Sequence, residues 1–131
     1  MSEYAKEIAA NLERAENSIK AAKKLEKANY PDIVASRAYY AAFYAATALL
    51  LKEGLQFRTH SGLISTIHKK FIKPGKLDKK YGRNLNRLFE LRNVGDYGAA
   101  THVTTEDAEK SVIVAEKFIV AIKSLLEGDA E

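Results

Sequence analysis

A chain of 131 residues that is 47% hydrophobic can bury a core without disulfide or metal staples, and one helical domain over residues 1–131 is expected. The absence of cysteine excludes a disulfide framework, a thiolate metal site and a cysteine nucleophile, and it suits a cytoplasmic protein. Seven Gly, two Pro and no Trp leave little turn material for a sandwich or barrel, whereas Ala, Leu, Lys and Glu favour an all-α fold.

The N-terminus, Met1 to Lys6, carries Glu3 and lacks an apolar core, so no secretory segment is expected. From about Glu3 to Lys27 the apolar positions Ile8, Leu12, Ala15, Ile19 and Ala22 recur at helical spacing, which predicts an amphipathic first helix. Asn29-Tyr30-Pro31-Asp32 breaks it and starts a second, because proline suits the first helical position. That helix is predicted to reach about Glu53, with Gly54 as a left-handed cap and Leu55 to Thr59 as loop. Its apolar run, Ala38 to Leu51, is fourteen residues and falls short of the ~20 that span a bilayer, so it reads as a core helix and no membrane association is expected.

A third, shorter helix is predicted from near Ser61, with Leu63, Ile64, Ile67 and Phe71 on one stripe and Pro74-Gly75 ending it. A fourth covers roughly Asp78 to Tyr97. Thr104, with Asp107 three residues on, resembles a capping box that opens a fifth through Ala108, Val112, Ala115, Ile119, Ile122 and Leu126, with Gly128 as its stop. No segment alternates as a strand does, and the pattern predicts a five-helix bundle.

Net charge is +4, but Lys69 to Arg92 holds nine Lys or Arg against Asp78 and Glu90, leaving twelve basic against fifteen acidic residues elsewhere. Such asymmetry suggests an anionic partner near that segment, although a charge-rich stretch is more often a solvated helix face.

Within the fourth helix Tyr81, Leu85 and Leu88 form the inward stripe, and Arg92 and Asp96 continue it. Four residues apart, the two charged side chains are neighbours, so Asp96 can hold Arg92. That pair reads equally well as a structural helix-end contact and as a fixed guanidinium offered to phosphate. In the second helix Arg37 lies between Ile33 and the Tyr40 and Tyr44 positions, and some partner must compensate its charge. Tyr39, Tyr40, Phe43 and Tyr44 read first as core and only secondarily as stacking partners for bases.

His60, His68 and His102 lack metal-ligand spacing, so no metal is expected, and His60 and His102 read as loop residues. Lys73-Pro74-Gly75-Lys76 lacks the upstream glycine of a phosphate-binding loop, and no serine sits in a nucleophile elbow, so no cofactor or ordinary hydrolase is expected.

Two segments, Ser36-Arg37-Ala38-Tyr39-Tyr40-Ala41-Ala42-Phe43-Tyr44-Ala45-Ala46 and Leu88-Phe89-Glu90-Leu91-Arg92-Asn93-Val94-Gly95-Asp96-Tyr97-Gly98, resemble HEPN domain proteins. Thr59-His60-Ser61-Gly62 sits where small HEPN proteins place a similar loop. The resemblance implies an up-and-down antiparallel bundle, commonly a homodimer, often paired with a small nucleotidyltransferase in a toxin-antitoxin system. Many such proteins are metal-independent endoribonucleases whose signature is Arg, four to six residues, then His.

Here Arg92 takes the arginine position and Asn93 the polar residue beside it, but Tyr97 stands where a histidine is expected, and nine residues separate Arg92 from His102. A general acid-base near neutral pH calls for a group titrating there, as imidazole does and a tyrosine, near ~10, does not. In some pairs the partner enzyme modifies a tyrosine near this motif with nucleotide, and Tyr97 is the tyrosine beside it here. The expectation is therefore a dimeric RNA- or nucleotide-associated protein that binds rather than cleaves, using Arg92, Asn93, Asp96 and Tyr97 with Arg37, Tyr40 and His60. The alternatives are an endoribonuclease toxin, with Arg92 and Tyr97 as catalytic candidates, and an interaction module without nucleic acid.

Overall fold

The computed structural model describes residues 4–128, and among these the elements are helical, without strands. Helix α1 spans Ala5–Lys27. Its buried positions are Ala15, Ser18, Ile19 and Ala22, the stripe that its periodicity marked. Asn29 closes the helix in the left-handed region, φ 65°, and the N–H groups of Asn29 and Tyr30 bond back to Glu26 O and Leu25 O, both at 3.1 Å. Pro31 then opens α2, Pro31–Lys52, where its missing N–H costs nothing.

Helix α2 is 22 residues, longer than its apolar run alone suggests, and is long and apolar enough to cross a membrane by length and composition. Its packing supplies the reason for that apolarity, since 67% of its most apolar window is buried within the bundle. It is the central helix, touching α1, α3, α4 and α5. Gly54 ends it as expected, at φ 75°, with the Leu55 N–H reaching back to Leu50 O at 3.0 Å.

Helix α3 spans His60–Ile67 and continues as a π-helical turn over His68–Ile72, which no local sequence signal announces. Thr59 is its N-cap, its hydroxyl accepting the Gly62 N–H at 3.0 Å. Helix α4, Lys79–Tyr97, is capped by Asp78, which accepts the Lys80 N–H at 2.9 Å. Helix α5, Thr105–Gly128, starts at Thr104, whose hydroxyl takes the Asp107 N–H at 3.0 Å. The expected reciprocal half of that capping box gives way to a tertiary contact, because the Asp107 carboxylate turns instead to Arg87 Nη2 at 3.4 Å. Gly128, the expected stop of α5, is the last residue of the helix as described.

A large core gathers Tyr39, Leu49, Leu85, Leu88, Phe118 and Ile122 around α2. A smaller one, with Ala22, Val34, Leu91, Val103 and Val112, fills the end of the bundle where α4 stops and α2 begins. Gly95 makes that approach close: a Cβ there would lie 2.5 Å from the backbone oxygen of Asp32. Asp32 also accepts the Val103 N–H at 2.7 Å and pairs with His102 Nδ1 at 2.7 Å, pinning the α4–α5 loop onto the first turn of α2. The last turn of α4 is thereby fixed in direction.

Candidate functional site

Arg92 lies on the last turns of α4, directly beyond the buried Leu85 and Leu88, so the core carries its side chain inward and leaves it 12% exposed. Its Nη2 donates to the Tyr40 hydroxyl at 2.8 Å and its Nη1 to Asn93 Oδ1 at 3.0 Å. Its Nε lies 3.0 Å from Asp96 Oδ2, the i,i+4 pair that the sequence spacing expects. That approach is off the N–H direction, so the contact is ionic and the buried Nε–H finds no hydrogen-bond acceptor among the described residues. Burial opposes the charge on Arg92, but the Tyr40 hydrogen bond and the neighbouring Tyr40, Tyr97 and Asp96 outweigh it, raising the pKa and keeping the guanidinium charged.

Three tyrosines surround that cation. Its carbon lies 5.3 Å from the Tyr97 ring centre, 5.5 Å from Tyr40 and 6.0 Å from Tyr39. Tyr97 is 72% exposed, whereas Tyr39 is fully buried. Burial pushes the Tyr39 phenol well above its usual range, against the pull of Arg92, so it stays protonated.

His60 departs from the sequence expectation of a loop residue. It is the first residue of α3, because Thr59 takes the cap, and its ring packs among Tyr39, Tyr40, Phe43 and Phe89 with centroids 4.7–5.9 Å away. Its Nδ1 lies 2.7 Å from the Tyr39 hydroxyl. Burial, and then the charge of Arg92, hold the imidazole below its ordinary pKa, which favours the neutral form. A protonated phenol can donate to Nδ1 of a neutral imidazole, and in that tautomer Nε2 carries the ring proton. The structure thus brings His60 onto the rings that hold Arg92, a convergence across the 31 residues between them that no local spacing reveals.

Arg37 is half-buried on α2 with its guanidinium carbon 5.0 Å over the Tyr40 ring. The compensating partner that the sequence demanded is this aromatic face rather than a carboxylate. His102 stays apart, at Asp32. Burial raises the Asp32 carboxyl, but the hydrogen bonds from His102 and Val103, with the His102 charge, outweigh it and hold it below its ordinary range. Gly98 ends α4 with right-handed φ −71°, and Ala99 takes the left-handed conformation at φ 53°.

Among the described residues no group of three or more His, Cys, Asp or Glu is placed to hold a metal ion. What α2, α3 and α4 assemble is a set of donors: a mostly buried guanidinium with unfilled N–H groups, an exposed phenol and a neutral imidazole. Such a set suits a polar anionic ligand.

The geometry defines a class of all-helical bundle with an arginine clasped by tyrosines at the close of its fourth helix. The chain belongs to the HEPN family, whose domain description matches residues 8–125. Among its relatives, a UPF0332 protein of Thermotoga maritima is 40% identical over 114 residues, covering 87% of this chain and 86% of that protein. Two proteins of Methanocaldococcus jannaschii, each named "Putative toxin", are 40% identical over 92% of this chain and 89% of the relative, and 34% identical over 81% and 72%.

Proposed function

We propose that this protein binds the phosphate groups of RNA or a nucleotide at Arg92, without turnover, as the toxin-like component of a two-component system with a nucleotidyltransferase. The observation that carries the reading is Arg92 itself, 12% exposed and charged, with N–H groups left over after Tyr40 and Asn93 are served and only a partly exposed Asp96 opposing it. A guanidinium already desolvated and aimed gives up little on binding phosphate. The names of the Methanocaldococcus relatives support the toxin-like role, and the family resemblance supports the homodimer and the nucleotidyltransferase partner. In the dimer that the family resemblance implies, a second copy related by a two-fold axis would complete the groove at Arg92.

Binding is favoured over cleavage because Tyr97 stands at the expected histidine position, and His60 Nδ1 is occupied by a phenol. Titration of RNA against the protein tests this. Loss of low-salt binding in Arg92→Ala is expected, and undiminished affinity in that variant, or none in the wild type, ends the reading and leaves an interaction module without nucleic acid. The exposed Tyr97 hydroxyl is the acceptor proposed for nucleotide modification. Incubation with the nucleotidyltransferase and ATP is expected to add the mass of one or more nucleotides, and an unchanged intact mass dismisses that part.

A second reading, a metal-independent endoribonuclease, draws on one observation: His60 shares the Tyr39 and Tyr40 rings with Arg92. It requires EDTA-resistant RNA cleavage that disappears in both Arg92→Ala and His60→Ala.

A further inference from the structure

Helices α1 and α2 enclose a groove of about 230 Å³ lined by Arg14, Asn17, Ser18, Ala21, Arg37 and Tyr44. Positions 14, 17, 18 and 21 share one face of α1 by helical spacing. The guanidinium carbon of Arg14 lies 6.0 Å over the Tyr44 ring, as that of Arg37 lies 5.0 Å over Tyr40. Neither arginine is among the ion pairs of the described residues. A guanidinium resting on a ring keeps its N–H edge free, so the aromatic contact fixes the cation without using the donors that phosphate needs.

Tyr40 joins this groove to the Arg92 site: its hydroxyl accepts from Arg92 Nη2, and its ring centre is 6.3 Å from that of Tyr44. Along α2 the order is therefore Arg37, then Tyr40 with Arg92 of α4 against it, then Tyr44 with Arg14 of α1 against it. Asp96 offsets part of the charge of Arg92, and Arg37 and Arg14 add to its attraction for a polyanion. Tyr44 and Arg37 are seven residues apart, about 10 Å along the helix, which places Arg14 and Arg37 at separate phosphates rather than around one.

We infer that the α1–α2 groove is a second anion subsite, contiguous with Arg92 through Tyr40, and that it carries phosphates of one single-stranded RNA. The inference rests on the reading of Arg92 as an RNA site. A linked chain of phosphates fits cations strung along a helix, and the tyrosine rings and guanidinium planes offer stacking surfaces to unpaired bases.

Fluorescence anisotropy of a labelled single-stranded oligouridylate, read across a salt series, tests it. Each phosphate contact with a single strand contributes about 0.7 to the slope of log affinity against log salt. Arg14→Ala with Arg37→Ala is expected to flatten that slope by about 1.4 and to weaken low-salt binding about tenfold, while the charge-matched Lys79→Ala with Arg83→Ala changes it by less than half as much. An unchanged slope in the arginine variant overturns the inference, and loss of binding in Arg92→Ala then leaves the Arg92 reading standing. No binding by the wild type overturns both.

Loss of RNA affinity together with loss of a dimer in sedimentation also overturns the inference, because the face is then an interface between copies. Free uridine monophosphate is expected to bind wild type and the arginine variant alike. Equal losses for monomer and oligomer overturn the polymer subsite in favour of a nucleotide pocket. Should the double variant fail to fold, Arg14→Gln on the exposed face of α1 is expected to flatten the slope by about 0.7, and an unchanged slope in it is equally decisive.

Discussion

Two groups of cations differ in what the fold does with them. Between Lys69 and Arg87 the basic residues are dense and exposed, and Arg87 spends its donors on Glu90 at 3.3 Å and Asp107 at 3.4 Å with more than half its side chain in solvent. Arg14, Arg37 and Arg92 are sparse, and two of them lie where acidic residues outnumber basic ones, yet each rests on a tyrosine ring. Lys76 and Lys80 also lie over rings, 5.6 Å from Phe71 and 5.2 Å from Tyr81, but only an arginine keeps a planar edge of N–H donors beside the ring it rests on. The net charge of a segment is thus a poor guide to which cations are free to bind.

The sharpest way to break this comparison is Arg92→Ala. It removes a charge-assisted contact worth ~1.5–3 kcal/mol and is expected to cost about tenfold to hundredfold in RNA affinity by anisotropy. Loss of the Tyr39 hydroxyl in Tyr39→Phe is expected to cost about 1 kcal/mol in urea unfolding, since it strips a part-buried hydrogen bond from His60 while leaving the ring in place.

A third effect is a pH dependence. Because the folded pKa of His60 lies below 6.5, the unfolded chain takes up a proton that the folded chain refuses. Stability from this source is undiminished above 6.5 and falls as pH drops from there to the folded value. The melting temperature is expected to decline more between pH 7 and 5.5 in wild type than in His60→Gln, and equal declines would show that His60 is not held neutral. The smallest effect belongs to Arg87→Ala, whose exposed ion pairs are expected to be worth less than ~1 kcal/mol to stability and to leave RNA affinity almost unmoved. A large loss there would restore the dense segment as the binding surface.

Local signals made much of the fold legible. Pro31 at a helix start, Gly54 at a helix end and Thr104 as a cap act within a few residues of themselves, and all three stand where the sequence placed them. Arg92 with Asp96 was readable for the same reason, being one turn apart on one helix. Three other features were not. The π-helical turn at His68–Ile72 is set by packing against α4, where a Cβ at Gly82 would lie 2.7 Å from His68. His60 reaches the Arg92 cluster only because α3 docks on the aromatic face of α2. Arg14 escaped notice because nothing in α1 alone says that its neighbour will be a tyrosine from the antiparallel helix; the one available hint was the small or polar stripe of Asn17, Ser18 and Ala21.

The meeting of Asp32 with Gly95, Val103 and His102 has a consequence for how this protein can vary. One carboxylate and one missing methyl set the angle at which the fourth helix presents its arginine, though neither touches a ligand. A saturation screen that scores function alone would rank positions 32 and 95 beside Arg92 among its least tolerant sites, and a drift of sequence there would silence the protein while sparing every donor.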